Sequence, residues 1–486
     1  MIKSICILGG GTSGVVTALV LKQWYPTMDI TIVESSSVGI VGVGEGSTEH
    51  WKHFMQATQI DLKELITETG ATFKSGIRFE NWNGDGKSFM HALHGSYTDV
   101  IHNGMPAVML DLMNRGAEHL TPISIVNSIH YAPVDTSVNQ YHFDTHKLNI
   151  FLHKKCVERG VKTVDADIVD VILDEQGFVK SLVGTDNVQY TAELFVDCSG
   201  FAKIISSKLG SKWVDCGEYL PMNRAIAFPT PGEVDIPSHT LSRALSSGWQ
   251  WRIPTQDRYG NGYVYSSDFI SDDAAIAEIQ ELYPDDIQVA KSFKFSAGYI
   301  NKFWIKNCVS IGLSGSFVEP LEASSIGTSI QQAFALGSSI LSWSRGDDTI
   351  AKQYNKHFEI VAKNIIDFVQ LHYVTKRDDS EFWRSCKDIK LTDFNKEMLP
   401  HFKHNLPSRA FFNSPFLLFT EQNWIQVMYG LGIFDTGSMS KLWNDQDPGL
   451  HVETQRIISS VDQFLASNVG FKHRDALNHI MSLNFK

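Results

Sequence analysis

The amino-acid sequence predicts an α/β (α+β) fold on three observations. The chain begins with the apolar run "ICIL", a cluster of glycines and a second apolar run, a pattern typical of a buried strand, a tight turn and a helix. Two strand-like segments that end in glycine turns, "ELFVDCSG" and "NCVSIGLSG", occur much later and would complete the same sheet. From Gly346 onward the sequence is typical of helices rich in aromatic residues, such as "YNKHFEIVAKNIIDFVQLHY".

Composition and charge narrow the classes of partner. With 42 basic and 54 acidic side chains among 486 residues, the net charge is −12, which argues against nucleic acid or an anionic membrane as the main partner. The six cysteines are scattered and form no CxxC pair, so we expect no metal site, no disulfide framework and a reducing, cytoplasmic location. An aromatic content of 11% suits a flat ligand, and a homo-oligomer is compatible with all of these properties.

The first chemical motif is the glycine turn in "ICILGGGTSG". It matches GxGxxG, and Glu34 ends the next strand, "ITIVE". Such glycines let the backbone approach a pyrophosphate at a helix N-terminus, and the acid accepts hydrogen bonds from a ribose. A secretory signal peptide is the alternative, which the glycines and the following buried strand disfavour. The motif predicts a dinucleotide without choosing between NAD and FAD. The predicted cofactor-binding residues here are Gly9, Gly10, Gly11, Thr12, Ser13, Gly14, Glu34, Ser35 and Val38.

Other segments favour FAD. A dinucleotide domain that is interrupted by insertions and completed by late strands resembles the FAD-dependent monooxygenase fold. The second glycine-rich stretch, "VGVGEGST", is expected to cover the cofactor, a flexible turn being the alternative. It adds Gly44, Glu45 and Gly46 to the predicted cofactor contacts, and the later strand adds Ile168. No second GxGxxG is present for a nicotinamide, so the flavin is expected to arrive already reduced, as FADH2, from a flavin reductase.

Two polar residues stand out in otherwise apolar surroundings. Glu322 precedes a buried helix that starts near Ser324, where free N–H groups and the helix dipole suit an anion. The alternative is that Ser324 and Ser325 simply cap that helix. Lys74, in "GATFKSGIRFENW", is flanked by aromatic residues and would be a directed donor or an amine of lowered pKa. The alternative is a strand-edge lysine in solvent.

The motifs together resemble a flavin-dependent halogenase of the tryptophan halogenase family over essentially the whole chain. They are "GGGTSG", "GVGEGST", "FKSGIRFENW", "DCSGF", "GWQWRIP", "FVEPLEASSIG" and "LHYVTKRDDSEFW". The WxWxIP element, Trp249, Trp251, Ile253 and Pro254, is this family's hallmark. In the family it lines a passage beside the flavin and keeps organic substrates away, so that only a halide reaches the cofactor.

The resemblance implies roles for individual residues. Reduced FAD and O2 would oxidise a halide ion to hypohalous acid, which moves to Lys74 and then halogenates an electron-rich aromatic ring. Glu322 would stabilise the cationic ring or take its proton. The amides of Ser324 and Ser325 match the halide-binding positions, and Leu313 and Ile326 match positions that touch flavin.

Departures from the family pattern bear on substrate and halide. The usual "PLESTG" reads "PLEASSIG", and "FMHALHG" keeps His91 but has Leu93 where tryptophan-specific members have an aromatic residue. The sequence looks closest to the marine bacterial and phage branch, with an open site for indoles or phenols and a preference for bromide or iodide over chloride. His91 and Leu93 are the predicted substrate contacts. A hydroxylating FAD-dependent aromatic monooxygenase and a non-catalytic FAD-binding redox protein are the alternatives.

We expect a discontinuous FAD-binding domain, an inserted substrate-side sheet and a C-terminal helical subdomain. Their predicted ranges are 1–85, 140–205 and 295–345 for FAD, 86–139 and 206–294 for the substrate side, and 346–486 for the helices.

Overall fold

The computed structural model describes residues 2–39, 45–92, 106–121, 139–412, 414, 417–467 and 470–483. Two predicted site residues, Gly44 and Leu93, lie outside the described residues. No helix within these ranges is both long and apolar enough to cross a bilayer.

The strands are short and spread over the first two thirds of the chain. They are β1 (Ser4–Leu8), β2 (Asp29–Glu34), β3 (Glu45–Gly46), β4 (Thr72–Phe73), β5 (Gly76–Glu80), β6 (Ser88–Ala92), β7 (Tyr141–Phe143), β8 (Lys162–Asp165), β9 (Ile168–Leu173), β10 (Val179–Gly184), β11 (Gln189–Tyr190), β12 (Leu194–Asp197), β13 (Trp213–Asp215), β14 (Arg224–Pro231), β15 (His239–Ala244), β16 (Gly248–Pro254), β17 (Arg258–Tyr265), β18 (Lys291–Lys294), β19 (Gly298–Ile300), β20 (Trp304–Ile305), β21 (Cys308–Ser310) and β22 (Ser316–Phe317).

The helices dominate the last third. They are α1 (Thr12–Trp24), α2 (His50–Thr58), α3 (Leu62–Thr69), α4 (Pro106–Asn114), α5 (Thr145–Glu158), α6 (Ile204–Lys208), α7 (Asp272–Gln280), α8 (Ser324–Ser339), α9 (Thr349–Leu371), α10 (Glu381–Ser385), α11 (Asp393–Phe402), α12 (Glu421–Gly430), α13 (Thr436–Asn444), α14 (Pro448–Ser467) and α15 (His473–Ser482).

A mainly parallel sheet has the strand order β20-β21-β12-β1-β2-β8, with β20 antiparallel at one edge. Its central strand β1 is buried on both faces, as expected for a parallel strand that helices cover on both sides. Helix α1 is apolar on nearly every face because it packs between this sheet and helices α5 and α8. The late strands β12 and β21 extend the sheet that β1 begins, as the sequence predicts.

A second sheet has the order β18-β14-β17-β16-β15-β5-β6 and carries the two-tryptophan strand β16 near its middle. Side chains alternate across a strand, so Trp249, Trp251 and Ile253 share one face. A small sheet, β3-β7-β4, holds the segment before Lys74, whose backbone N–H donates to the Gln140 carbonyl at 3.0 Å. Two further small sheets have the orders β11-β10-β9 and β13-β19-β22.

The predicted fold class is confirmed by this arrangement of one parallel sheet, an inserted mostly antiparallel sheet and a helical C-terminal part. The described residues after Gly346 form helices and the turns between them, apart from one isolated bridge at Phe471. The exact domain boundaries stay a prediction. Strand β5, within the predicted range 1–85, pairs with β6 and β15 of the second sheet.

Candidate active site

The glycine turn lies between β1 and α1, where the motif places it. Gly9 has a φ of +113°, and a Cβ added there would lie 2.2 Å from the Cys198 carbonyl oxygen. A Cβ on Gly14 would lie 2.0 Å from the Gly9 carbonyl oxygen. The N-cap of α1, Gly11, has no side chain that could accept a hydrogen bond, which suits a helix end that binds a phosphate. Both glycines are therefore required by backbone packing, and the helix end fits a dinucleotide.

The acid predicted to bind a ribose lies directly beside this turn. A Cβ on Gly10 would come within 1.7 Å of the Glu34 Oε2 atom. Two side chains of α5, Asn149 and His153, donate to the Gly10 carbonyl at 2.8 Å each, and His153 Nε2 is 3.3 Å from Glu34 Oε2. The residues present fit the FAD that the sequence predicts. Sequence reasoning missed Asn149 and His153, although their spacing of four residues in a helix places them on one face.

The remaining predicted cofactor contacts fall into two groups. Ser35 binds Asp167, Val38 is 80% exposed, and Ile168 begins β9; these three do not line the cavity beside the start of α8. Leu313 and Ile326 do line it. Helices α1 and α8 meet at a 3.0 Å hydrogen bond between the hydroxyls of Ser13 and Ser329.

A cavity lies between the second sheet, the turn Pro320–Glu322 and the start of α8. It encloses about 1450 Å³, including the space at its mouth. Its wall contains predicted residues from segments that are distant in the sequence, which are Glu45, Gly46, Trp249, Trp251, Ile253, Leu313, Ser324, Ser325 and Ile326. The remainder of the wall is largely apolar, as expected for a ligand site with few polar groups.

Lys74 is fully buried, which contradicts the alternative of a solvent-exposed edge lysine. Its Nζ donates to the Ser47 carbonyl at 3.0 Å. A Cβ on Gly46 would lie 3.3 Å from this Nζ and 3.5 Å from the Cβ of Ala323, so the glycine leaves room for the lysine beside the start of α8. Burial lowers the pKa of Lys74 to about 8, and the carboxylates of Glu322 and Glu49 oppose that shift.

Glu322 ends the turn before α8 and is buried between two histidines. His91 Nδ1 donates to it at 2.9 Å, and His372 Nε2 donates at 2.9 Å. Burial alone would raise the pKa of Glu322, but the charge of His91 and the hydrogen bonds from His372 and His91 lower it to about 2. The carboxylate is therefore ionised at neutral pH although it is only 2% exposed.

Each of the two histidines has a second hydrogen-bond partner besides Glu322. His372 Nδ1 lies 2.9 Å from the Phe368 carbonyl oxygen, and His91 Nε2 lies 3.1 Å from the Asn423 side-chain nitrogen. These contacts fix the orientation of both rings against the carboxylate.

Ser324 and Ser325 are the first residues of α8 rather than its cap. The N-cap is Ala323, which has a φ of +53° and makes no side-chain capping bond. The alternative in which the two serines cap the helix is therefore wrong. Both line the cavity at the positive end of the helix dipole.

The two tryptophans of β16 are 1% and 6% exposed, and their ring centroids are 6.3 Å apart. Trp251 packs so closely on Gly262 that a Cβ there would lie 2.0 Å from the indole. Pro254 ends the strand outside the cavity wall, and its carbonyl accepts from Thr72 at 2.7 Å. Three members of the WxWxIP element therefore face the cavity, and the proline fixes the end of the strand.

Sequence reasoning missed His372, Asn423, Tyr373 and Glu319. The two residues after α9, His372 and Tyr373, bind Glu322 and Glu319 respectively. His372, Tyr373 and Glu319 lie inside motifs quoted above, which was the available signal. His91, predicted as a substrate contact, binds Glu322. Within the described part of the chain, no group of His, Cys, Asp and Glu side chains could hold a metal ion.

Comparisons with known proteins identify the family. The tryptophan halogenase family model matches residues 4–444. The tryptophan 6-halogenase of Streptomyces albogriseolus is 30% identical over 443 residues, which cover 84% of this chain and 83% of that protein. The structure of a tryptophan halogenase from Shewanella frigidimarina has a TM-score of 0.86 and 26% identity, covering 100% of this chain and 98% of that one. The structure of a flavin-dependent halogenase from Brevundimonas sp. BAL3 has a TM-score of 0.84 and 28% identity, covering 98% and 99%. This chain therefore belongs to the tryptophan halogenase family and is a flavin-dependent halogenase.

Proposed function

We propose that this enzyme takes FADH2 from a separate flavin reductase, oxidises bromide or iodide in preference to chloride, and halogenates indole-type or phenolic rings through Lys74. The observation that carries the proposal is the burial of Lys74 and Glu322 together beside the start of α8, next to a cavity walled by Trp249 and Trp251. When bound, reduced FAD supplies with O2 the oxidising power that turns a halide into hypohalous acid.

Lys74 is suited to receive and direct an oxidised halogen. At neutral pH most of the side chain is an ammonium, because its pKa is about 8, and it donates hydrogen bonds to the oxygen of hypohalous acid. The amine fraction is larger than for an exposed lysine, so a haloamine is accessible. The bond to the Ser47 carbonyl fixes the direction of the side chain.

Glu322 is better suited to stabilise positive charge than to act as a strong base. With a pKa of about 2 it has a low affinity for protons, and it keeps its negative charge in a buried place where charges interact strongly. A cationic ring intermediate next to it would be stabilised. The two histidines hold the carboxylate in one orientation, which favours a defined position for the ring.

The tryptophan wall supports halogenation over hydroxylation. A hydroxylating monooxygenase needs its organic substrate against the flavin, whereas here Trp249 and Trp251 occupy the cavity wall together. A small anion passes such a wall more readily than an indole. A binding protein without catalysis would need neither a buried lysine nor a buried carboxylate beside that cavity.

The halide preference rests on sequence differences at the start of α8, and the substrate preference rests on Leu93 in "FMHALHG". Ser324 and Ser325 stand where the family motif "PLESTG" has threonine and glycine, so the side chains around the first N–H groups of α8 differ in shape and polarity. Bromide and iodide are less hydrated and easier to oxidise than chloride. Loose placement of a ring is better tolerated by hypobromous and hypoiodous acid, which fits the marine bacterial and phage branch proposed from the motifs.

The test is a competition with equal concentrations of chloride, bromide and iodide on a panel of indoles and phenols, supplied with FAD, NADH and a flavin reductase. We expect brominated and iodinated products to exceed chlorinated ones several-fold by mass spectrometry. Dominant chlorination would refute the halide preference, and hydroxylated products would refute halogenation of these substrates. Without the reductase, NADH should remain unoxidised, and chemically reduced FAD should restore product formation.

A further inference from the structure

A second carboxyl group lies in the turn before α8, on the cavity side. Glu319 is 1% exposed and belongs to the cavity wall. Its Oε1 accepts a hydrogen bond from the Trp249 indole at 3.0 Å and another from the Tyr373 hydroxyl. Its Oε2 is buried and has no hydrogen-bond partner among the described residues.

This pattern favours the neutral acid. Both partners are uncharged donors, and neither supplies a positive charge that would compensate a buried carboxylate. Because Oε1 already accepts two hydrogen bonds, the proton belongs on Oε2, which becomes a donor that no described protein group accepts. A buried donor of this kind is expected to bind a ligand or a water molecule.

The other titratable groups nearby do not change this assignment. Burial raises the pKa of Tyr373 well above its usual value and that of Cys386 to about 12, so both stay neutral. Glu45 and Lys291 are the other charged or titratable groups in the wall, and each belongs to a different segment from Glu319. Burial raises the pKa of Glu319 to about 7, although the hydrogen bonds from Tyr373 and Trp249 lower it in part.

Halide oxidation consumes a proton in this cavity. In each turnover, reduced FAD, O2, one halide ion and one proton give oxidised FAD, one molecule of hypohalous acid and one of water. Reduced FAD and the halide each lose two electrons, and O2 gains four. An apolar cavity needs a specific acid for that proton, because it excludes most water.

We propose that Glu319 is the acid that supplies the proton consumed by halide oxidation. The inference rests on the proposed halide position at Ser324 and Ser325, five and six residues further along the same turn and helix. Trp249 and Tyr373 both donate to Oε1, so Oε2 is the oxygen that is left to donate its proton to a ligand. The carboxylate left behind regains a proton from solvent before the next turnover.

A first experiment measures the protonation of Glu319 without turnover. Infrared difference spectra of the FAD-loaded, oxidised protein are recorded between about pH 6 and about pH 9, because the pKa of Glu319 is raised to about 7. We expect a protonated-carboxyl band that disappears with rising pH and is missing in Glu319→Gln. Asp367 is a matched control, because burial also raises its pKa to about 7 but it lies outside the cavity wall. Asp367→Asn should keep the Glu319 band, and an unchanged spectrum in Glu319→Gln would overturn the proposal.

A second experiment follows hypohalous acid with a soluble organic trap, so that Lys74 and Glu322 are not needed for detection. The wild-type rate should fall above neutral pH, and Glu319→Gln should be at least about tenfold slower at pH 6 with little pH dependence. Tyr373→Phe removes a hydrogen bond that stabilises the carboxylate form of Glu319. In this variant, the decline of the rate at alkaline pH should therefore move to higher pH.

The outcomes separate the two proposals. A wild-type protein that forms no hypohalous acid from any halide overturns the proposed function and the role of Glu319 with it, whatever the infrared spectra show. A wild-type rate and pH profile in Glu319→Gln overturn only the role of Glu319. The role of Glu319 is also overturned if Glu45→Gln, and not Glu319→Gln, abolishes the pH dependence of hypohalous acid formation.

Discussion

Glu319 and Glu322 lie three residues apart, one on each side of Pro320 and Leu321, and both are almost completely buried. Glu322 accepts hydrogen bonds from two histidines, and its pKa falls to about 2. Glu319 accepts from an indole and a phenol, and its pKa rises to about 7. Equal burial therefore gives opposite charge states, because the partners and not the depth decide which form is stable.

The same two structural elements supply both sets of partners. The second sheet contributes His91 from β6 and Trp249 from β16, and the residues after α9 contribute His372 and Tyr373. One turn thus separates a charged side, which contains Lys74, from a neutral side that faces the cavity. This division matches the two half-reactions proposed, since ring halogenation needs a fixed negative charge and halide oxidation needs a proton.

The largest effect is expected on the charged side. Lys74→Met should lower halogenated product by a factor of about 10² to 10⁴, because the group that receives the oxidised halogen is lost. Oxidation of reduced FAD, followed in the same sample, should continue. Lys155 is a matched control, since it is mostly buried but pairs with Glu64 elsewhere. Lys155→Met should retain halogenation per folded molecule, and normal product from Lys74→Met would show that this lysine has no catalytic role.

The two glutamates should also differ in their effects on stability. The pKa of Glu322 is below its ordinary value of 4.5, so its charge stabilises the fold above about pH 4.5 and this contribution is lost as pH falls towards 2. Glu322→Gln should therefore cost on the order of 3 kcal/mol at neutral pH. The pKa of Glu319 is raised, so its ionisation destabilises the fold increasingly between pH 4.5 and about 7.

Glu319→Gln should consequently gain stability relative to wild type with rising pH, by roughly 2 to 3 kcal/mol between pH 5 and 8. Urea unfolding of the FAD-free protein at several pH values measures both effects. The comparison between the two carboxyl groups fails if the variants change stability with the same sign and the same pH dependence.

The smallest effect concerns the two tryptophans of β16. Trp249→Phe removes one hydrogen bond to Glu319, worth about 1 kcal/mol, so the alkaline decline of halide oxidation should move up by less than about one pH unit. Trp251→Phe makes the same indole-to-phenyl replacement in the same cavity wall but leaves the hydrogen bond from Trp249 to Glu319 intact. It should not shift the decline, and equal shifts in both variants would mean that the tryptophans act only by their bulk.

Local sequence patterns predicted the strands of the first sheet, the glycine turn and the start of the late helix. These features depend on short stretches, because strand burial, positive φ and helix starts are set by neighbouring residues. The same holds for the pairing of Trp249 and Trp251 on one face, which follows from strand alternation. The motifs in their order also pointed to the family and to Lys74 and Glu322.

Only the tertiary structure decided what those residues can do. The burial of Lys74 depends on Gly46, Ser47 and Ala323, which lie near it in the fold but are distant from it in the sequence. The charge of Glu322 depends on His91 and His372, separated from it by 231 and 50 positions. No local pattern encodes such partners, since protonation is set by the few groups that folding brings within hydrogen-bond distance. The sequence by itself determined the family, the fold class and the candidate residues, whereas the packing of β6, β16 and the end of α9 around one turn decided which of two buried acids is charged.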